Sequence, residues 1–219
     1  MNDRIATEPA SIDWDRAARH YNRQAWLERA PLDAAIDLAE IGSGERLLDV
    51  ATGTAALLRR LARRPSAPAS VIGVDRSAAM LAQAPELPPG WRLMRADAAR
   101  LPFSDSEFDV ITAAYLLHFL DREERRAVLA EVRRVLDPRG RVVIVTVDAP
   151  RGGALGRALE PIQAAARRSI GMLAGLRALD PRLDLEEAGF TVARSRHLGR
   201  GYPSLVTVAT VTDVNRFDG

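Results

Sequence analysis

The sequence contains no cysteine and no lysine, and these two absences exclude several kinds of chemistry. Without cysteine there is no disulfide bond, no thiolate ligand for zinc and no thiol nucleophile. Without lysine there is no Schiff-base amine and no phosphate-loop lysine. All 31 basic residues are arginines, and the 29 acidic residues leave a net charge of only +2. The pI of 9.6 reflects the scarcity of groups that titrate above neutrality, so it gives little support for nucleic-acid binding.

Long apolar runs are also absent. No segment approaches the roughly 18–20 apolar residues that span a bilayer. The N-terminal stretch MNDRIATEPASIDWD has no apolar region of the kind found in secretory signals. We therefore expect a cytoplasmic protein without stable membrane insertion. The length of 219 residues and the hydrophobic content of 47% fit one domain with a full core.

What the chain does contain is an alternation of short apolar runs with helical segments. The runs predicted to form strands are 46–50, 70–75, 91–96, 108–114 and 141–147. Between them lie helical patterns, the clearest at 122–136, where Asp121 and Glu124 predict a capping box. Because the runs are continuously apolar, they predict parallel strands covered on both faces. We predict an α/β fold, a Rossmann-like doubly wound sheet with helices on both faces.

The segments that flank this alternation have patterns of their own. Residues 12–41 are predicted to be helical, with Pro31 opening a second helix that Gly42 closes. Residues 191–199 and 204–211 alternate between apolar and polar side chains, which predicts an antiparallel hairpin. Residues 151–182 carry six arginines against two acids. This stretch is either attractive to an anionic partner or only a solvated face.

Acidic residues lie at three successive predicted strand ends: Asp49, Asp75 and Asp97. In an open α/β sheet, ligands bind beyond the carboxyl ends of the strands. Carboxylates there repel a pyrophosphate but suit a ligand with a positive charge, ribose hydroxyls and an adenine amino group. The first of these turns, LLDVATGT, has one glycine, Gly53, where a dinucleotide fingerprint has three. Each acid alone is equally well explained as a helix cap, but the ordered set favours a ligand site.

Four segments carry a family resemblance, in chain order LLDVATGT, GVDRSAAML, ADAARLPFSDSEFDVI and LLHFLDREERRAVLAEVRRVLDPRGRVVIV. Together they resemble the class I S-adenosylmethionine-dependent methyltransferases, in particular the small-molecule branch with the quinone-ring C-methyltransferases. The resemblance covers about residues 45–148 of the sequence. It implies S-adenosylmethionine as the cofactor, S-adenosylhomocysteine as the product, and O-, N- or C-methylation of a small molecule. It also implies a sheet of seven strands whose last strand is antiparallel.

The resemblance assigns site residues by their match to the family's motifs. The cofactor-binding residues implied in this way are Tyr21, Asp49, Ala51, Thr52, Gly53, Asp75, Arg76, Met80, Asp97, Ala98 and Ala114. Asp75 is expected to bind the ribose hydroxyls, and Gly53 to approach the methionine moiety. Two histidines are candidate catalytic bases: His118, past the fourth strand, and His20. A purely structural role for His118 is equally open, and no metal is expected.

The resemblance also divides the single domain, 1–219. Residues 1–44 are expected to cover the cofactor, 45–148 to bind it, 149–182 to form an acceptor-binding insert, and 183–219 to form a C-terminal helix and hairpin. Quinone methyltransferases carry a GIRN-like or GLRN-like segment after the fourth strand, where this chain has AAYLLH. That departure argues against a quinone acceptor. A second departure is Ala55, where the family usually has glycine.

Other functions stay open from the sequence. A nicotinamide-dependent oxidoreductase shares the predicted fold, but the missing glycines disfavour it. A non-catalytic cofactor-binding subunit is a further alternative. A nucleic-acid acceptor is not expected, because there is no cysteine for attack on a pyrimidine ring and no Asn/Asp-Pro-Pro-aromatic segment after the fourth strand. We expect a monomer or a homodimer.

Overall fold

The computed structural model describes residues 13–15, 18, 26–149, 177–199 and 203–212. The helices are α1 (Arg29–Ala39), α2 (Ala56–Leu61), α3 (Ala78–Leu81), α4 (Arg122–Val135) and α5 (Arg182–Glu187). The strands are β1 (Arg46–Val50), β2 (Ser70–Asp75), β3 (Trp91–Arg95), β4 (Phe108–Ala114), β5 (Leu136–Val147), β6 (Phe190–Leu198) and β7 (Ser204–Val211). A short 3-10 turn, Leu117–Phe119, follows β4.

All seven strands form one sheet in the order β3-β2-β1-β4-β5-β7-β6. The first five strands pair in parallel, while β7 is antiparallel to both β5 and β6. The chain order reverses between β1 and β4, which makes the carboxyl ends of these two strands the switch point where α/β sheets bind ligands. The predicted doubly wound sheet with an antiparallel last strand is confirmed.

Two apolar layers cover the sheet, one on each face. The first contains side chains of α1 and α2, and the second contains the apolar stripe of α4. The central strands are buried almost throughout, since they are covered from both sides. Helices on both faces were expected and are confirmed. None of the described helices is long and apolar enough to cross a bilayer.

The boundary between α4 and β5 differs from the prediction. The capping box at the start of α4 is present, since Asp121 and Glu124 each accept a backbone hydrogen bond of 2.8 Å from the other. The helix ends at Val135, however, and Leu136 already pairs with Phe108 of β4. Pro138 and Gly140, which were expected to stop the helix, therefore lie in an irregular stretch within β5, where the register between β4 and β5 shifts.

Helix α1 also departs from its predicted bounds. It begins at Arg29, so that Pro31 lies in the first turn, where the missing N–H is not needed. It ends at Ala39, because Glu40 takes a left-handed backbone with φ +52°. Arg141 holds this end against the sheet, with hydrogen bonds of 2.7 and 2.8 Å to the carboxylate of Glu45 and one of 3.0 Å to the Glu40 carbonyl.

Candidate functional site

The turn after β1 has a left-handed backbone at every second residue. The φ angles of Ala51, Gly53 and Ala55 are +56°, +56° and +58°. Glycine adopts this region freely, whereas it costs an alanine about 1–2 kcal/mol. The N–H of Thr52 donates to the carbonyl of Val74 at 2.9 Å, so the turn is held against the end of β2. The sequence indicated Ala55 as a departure from the family but gave no sign that Ala51 shares its conformation.

Asp75, the last residue of β2, fastens the same turn. Its Oδ2 accepts a hydrogen bond from the N–H of Gly53 and its Oδ1 accepts one from the N–H of Ser77, each at 2.8 Å. A Cβ placed on Gly53 would meet no heavy atom within 4 Å, so the space over the turn is open. Each carboxylate oxygen can accept two hydrogen bonds and here accepts one from the described residues, so Asp75 keeps lone pairs for a ligand in this space.

Asp49 lies in the strand just before the turn and is only 2% exposed. Its two oxygens accept hydrogen bonds of 2.6 Å from the hydroxyls of Thr112 and Thr52. In the described part of the chain, no arginine forms an ion pair with it. Burial raises the pKa of Asp49 to about 6, although the two threonine hydrogen bonds counteract the rise and the charge of Asp75 adds to it. At neutral pH the site therefore holds a buried negative charge, and none of the described cationic side chains pairs with it.

Gly73, in the middle of β2, makes room for this arrangement. A Cβ on Gly73 would lie 2.7 Å from Cδ2 of Leu93, 2.9 Å from Oγ1 of Thr52 and 3.0 Å from Cδ1 of Leu58. These separations are too short for a side chain without displacement of its neighbours. The glycine thus lets the Thr52 hydroxyl approach Asp49.

The other predicted cofactor-binding residues of β2 and β3 lie at the same edge of the sheet. Arg76 is exposed, whereas Met80 in α3 is 2% exposed and belongs to the buried layer. Asp97 follows β3 and is exposed, and its Oδ1 accepts a hydrogen bond of 3.0 Å from the N–H of Ala99. The adjacent Ala98 is half-buried. The structure therefore brings the acids of three successive strands to one edge.

The end of β4 presents different chemistry. Ala114 is half-buried, and the next residue, Tyr115, has a φ of +57°, which is uncommon for an aromatic residue. The N–H of Tyr115 donates to Val145 at 2.8 Å, and its hydroxyl shares a hydrogen bond of 2.9 Å with Oγ of Ser204. Strained backbone of this kind concentrates at functional sites. The tyrosine links β4 to the start of β7.

His118 lies in the 3-10 turn that follows and is 2% exposed. Within the described residues, its Nδ1 is buried and has no hydrogen-bond partner. Burial, and secondarily the charge of Arg177, lowers the pKa of His118 to about 3. The imidazole is therefore neutral at physiological pH. A base with so low a pKa is poorly matched to proton abstraction near neutrality.

Comparison with known proteins adds to this geometry. A profile of the methyltransferase domain family matches residues 47–140. These residues are a methyltransferase domain. The chain is 39% identical over 127 residues to a demethylmenaquinone methyltransferase of Thermus thermophilus, which is 56% of either chain. It is 33% identical over 128 residues to the ubiquinone/menaquinone biosynthesis C-methyltransferase UbiE of Azotobacter vinelandii, which is 56% of this chain and 50% of that one.

A solved structure extends the likeness of the methyltransferase domain to the whole fold. It is a complex from Haloferax volcanii between the Trm112 methyltransferase activator and a methyltransferase, with a TM-score of 0.70 and 17% identity over 92% of this chain and 99% of that one. At that identity the likeness shows the fold alone. The sequence matches span about half the length of the curated relatives. The expected class I family and its likeness to quinone C-methyltransferases are confirmed.

S-adenosylmethionine, the cofactor expected for such a domain, fits the residues at this edge. The space over Gly53 is open, and Asp75 keeps lone pairs that ribose hydroxyls can use. The buried carboxylate of Asp49 has no cation beside it among the described residues, and the cofactor carries an ammonium and a sulfonium. Which side chains contact the cofactor stays a prediction.

Two N-terminal residues lie over the methyltransferase domain at its switch point. Trp14 packs edge-on against Phe119, past β4, with ring centroids 4.8 Å apart. The next residue, Asp15, accepts a hydrogen bond from the hydroxyl of Ser77, past β2. Adjacent residues thus touch both sides of the edge where the cofactor is expected. His20 and Tyr21, also predicted to contribute here, lie outside the described residues.

The sequence analysis missed several residues that shape the methyltransferase site. Thr112 had a signal, because it is a polar residue in the middle of the apolar run VITAA. Ser77 also had one, since it precedes a helical segment, and its hydroxyl accepts the hydrogen bond of 3.1 Å from the N–H of Met80. Arg177 was indicated only as one of the six arginines of residues 151–182, and Gly73 had no signal, since its role depends on neighbours that are distant in sequence.

A second concave surface lies at the opposite, amino edge of the sheet. This depression of about 550 Å³ is lined by Asp109, Asp137, Pro138, Arg139 and Gly140. Asp109 already pairs with Arg46 at 2.8 Å, and the lining includes none of the predicted site residues that the structure describes. The described residues also contain no cluster of three histidine or acidic side chains suited to a metal ion. The candidate site is therefore at the carboxyl edge.

Proposed function

We propose that the protein is an S-adenosylmethionine-dependent methyltransferase that transfers a methyl group to a small-molecule acceptor by in-line displacement. The observation that carries this proposal is the buried Asp49 carboxylate, without a cationic partner in the described chain, beside a turn that is open at Gly53. An uncompensated buried charge destabilises a fold, so its presence favours a cationic ligand. When bound, S-adenosylmethionine supplies a methyl group on a positively charged sulfur.

The proposed contacts follow the order of the strands. We propose that Asp75 binds the ribose hydroxyls, which its remaining lone pairs support. The residues proposed for the methionine moiety are Tyr21, Asp49, Ala51, Thr52, Gly53 and Ala114. The residues proposed for the adenine ring are Arg76, Met80, Asp97 and Ala98. Holding donor and acceptor in near-attack geometry supplies about 7–11 kcal/mol of barrier reduction in favourable cases, so this arrangement needs little further catalysis.

We propose that His118 donates a hydrogen bond to the acceptor, whereas the sequence indicated it as a candidate base. Its low pKa and its buried Nδ1, which has no hydrogen-bond partner in the described part of the chain, support hydrogen bonding to the acceptor in the neutral form rather than proton abstraction. His20 remains a second candidate base. The acceptor is proposed to be a small molecule, as the names of the related quinone methyltransferases indicate for those proteins. A quinone acceptor is not carried over from them, because the segment that begins at the end of β4 reads AAYLLH.

Calorimetric titration of the protein with S-adenosylmethionine, S-adenosylhomocysteine and NAD tests the proposal. We expect both sulfur compounds to bind and NAD not to bind, because the carboxylates at this edge repel a pyrophosphate. Binding of NAD alone would overturn the assignment. An acceptor screen with a methyl-labelled donor then tests transfer. Cofactor binding without transfer to any acceptor would instead indicate a non-catalytic cofactor-binding subunit.

A further inference from the structure

Two arginines converge on one backbone carbonyl beside the candidate site. Arg125 donates to the Leu120 carbonyl at 2.9 Å, and Arg177 donates to the same oxygen at 3.0 Å. Arg125 is neutralised by Asp184, with 3.0 Å between Nε and Oδ2, and both side chains are nearly buried. Arg177 is half-buried, and none of the described carboxylates pairs with it. The two guanidinium groups thus share an anchor but differ in whether their charge is balanced.

Arg177 is held near the turn that carries His118, because the Leu120 carbonyl that it binds lies two residues past this histidine. The charge of Arg177 acts on His118, whose Nδ1 is buried and unpartnered among the described residues. A buried polar atom without a hydrogen bond costs about 1–3 kcal/mol, so it calls for an explanation. Among the described residues, the Arg177 guanidinium has no carboxylate and the His118 Nδ1 has no hydrogen-bond partner. An anionic or strongly polar oxygen would satisfy both groups.

Both groups lie at the carboxyl edge of the sheet, past the switch point. His118 follows β4, and the segment of Arg177 is held to the end of β5. Leu179 donates to the Val147 carbonyl at 3.0 Å and accepts from the Thr146 hydroxyl at 2.7 Å. We call the carboxyl ends of β1, β2 and β3 with their following turns the β1–β3 half, and those of β4 and β5 with residues 177–179 the β4–β5 half. The β1–β3 half carries Asp49, Asp75 and Asp97, whereas the β4–β5 half carries Arg177. Each half also has one residue of the opposite charge, Arg76 after β2 and Asp148 after β5, and Asp148 pairs with His197 at 2.7 Å.

We propose that Arg177 and His118 form a subsite for a carboxylate group of the methyl acceptor. This inference rests on the proposed function, because it assigns a ligand to the acceptor side of the same site. Guanidinium groups bind carboxylates through charge-assisted, often paired hydrogen bonds, and Arg177 uses one N–H on Leu120. Neutral His118 can add a hydrogen bond without repelling the arginine. A cationic cofactor beside one half and an anionic acceptor beside the other are electrostatically matched.

Matched aromatic probes test the subsite without knowledge of the natural acceptor. Salicylate, benzoate and 1-hydroxy-2-naphthoate, each with its uncharged amide, are titrated by calorimetry into protein saturated with S-adenosylhomocysteine. For at least one pair we expect the carboxylate to bind roughly tenfold more tightly than the amide, a difference of about 1.4 kcal/mol. Arg177→Gln should remove this preference. Arg177→Lys keeps the charge but not the planar fork, so it should retain part of it.

Arg182→Gln is the matched control. It removes the same charge five positions away, from a side chain that is 54% exposed and paired with Asp180, and it should keep the full preference. The subsite is disproved if no carboxylate binds more tightly than its amide, if Arg177→Gln retains the preference, or if Arg182→Gln loses it equally. S-adenosylhomocysteine binding by each variant reports an intact fold. Failure of the wild-type protein to bind S-adenosylhomocysteine would count against the proposed function instead.

Discussion

The β1–β3 half and the β4–β5 half of the carboxyl edge are built in different ways. The β1–β3 half consists of a backbone turn and carboxylates, and its Gly53–Asp75 contact joins residues only 22 apart in sequence. In the β4–β5 half, side chains from distant segments meet, as in the contacts of Arg177 with Leu120 and of Tyr115 with Ser204, which join residues 57 and 89 apart. A site for an invariant cofactor can be encoded by a local motif, whereas a site for a variable acceptor depends on tertiary contacts.

Burial shifts the pKa of a titratable group in opposite directions in the two halves. Burial raises the pKa of Asp49 to about 6 and lowers the pKa of His118 to about 3. In each case the low-dielectric surroundings disfavour the charged form. The acid nevertheless stays largely ionised at neutral pH, because two threonine hydroxyls hold it, while the histidine is fully neutral. One half therefore offers a charge and the other offers a neutral hydrogen-bonding group beside an arginine.

The largest expected effect is the loss of cofactor affinity on substitution of Asp75 in the β1–β3 half. Asp75→Ala leaves the N–H groups of Gly53 and Ser77 without their acceptor and removes the proposed contact to the ribose. We expect S-adenosylhomocysteine affinity to fall by roughly a hundredfold or more, since about 1.5–3 kcal/mol is lost per hydrogen bond to a charged group. Calorimetry on the folded variant measures this.

The control for this change is Asp137→Ala. Asp137 also accepts a local backbone hydrogen bond of 2.8 Å, but at the opposite edge of the sheet, so its loss should leave cofactor affinity unchanged. If Asp75→Ala binds S-adenosylhomocysteine as tightly as the control, Asp75 is only a structural link between the turn and β2.

The second prediction compares how the contributions of Asp49 and His118 to the free energy of unfolding depend on pH. The folded-state pKa of Asp49 lies above its unfolded value, so its stabilising contribution is present below about pH 4 and lost by about pH 6, a change of about 2–3 kcal/mol. The folded-state pKa of His118 lies below its unfolded value, so its contribution is present above about pH 6.5 and lost toward about pH 3, at most about 4–5 kcal/mol. Between these limits the two contributions oppose each other.

Single substitutions should therefore give mirror-image curves. Relative to wild type, Asp49→Asn should become more stable as the pH rises from about 4 to about 6, while His118→Gln should become more stable as the pH falls over the same range. Urea unfolding at several pH values measures both differences, and subtraction cancels the other titrating groups. Difference curves with the same slope, or flat curves, would show that burial does not shift the two groups in opposite directions.

The features that the sequence predicted are those with a local signal, and the features that it missed depend on contacts between distant residues. Strands β1, β2, β4 and β7 have the predicted bounds, because a continuous apolar run between turn residues is a local signal. The start of β5 was missed, because the pairing of Leu136 with Phe108 is a long-range contact. Asp75 and Asp97 were predicted as site residues from their places at strand ends, where the structure puts them. Arg177 was indicated only as one of six arginines in residues 151–182, and Gly73 was not indicated, since an unbalanced charge and a steric need for glycine both depend on neighbours across the fold.

A third, more modest effect tests whether the N-terminal residues join the two halves. Asp15→Ala removes the hydrogen bond to Ser77, and Phe119→Ala removes the ring that Trp14 packs against. Each should weaken S-adenosylhomocysteine binding a few-fold. An aromatic pair contributes about 0.5–1.5 kcal/mol, and the hydrogen bond of the exposed Asp15 competes with water. Since Trp14 and Asp15 are adjacent, the double variant should lose less than the product of the two effects. Independent losses would mean that no single segment spans the halves.

The smallest expected difference lies within the β1–β3 half, between two alanines of equal φ. Ala51→Gly relieves left-handed strain at a half-buried position, so stability should rise by about 0.5–1 kcal/mol. Ala55 is fully buried, so Ala55→Gly also loses about 0.8 kcal/mol of methyl burial and should be nearly neutral. Gly53→Ala has free space for its methyl, so it should cost about 1 kcal/mol through φ alone. Urea midpoints at constant m-value rank the three, and a larger gain at Ala55 than at Ala51 would mean that its methyl is crowded rather than well packed.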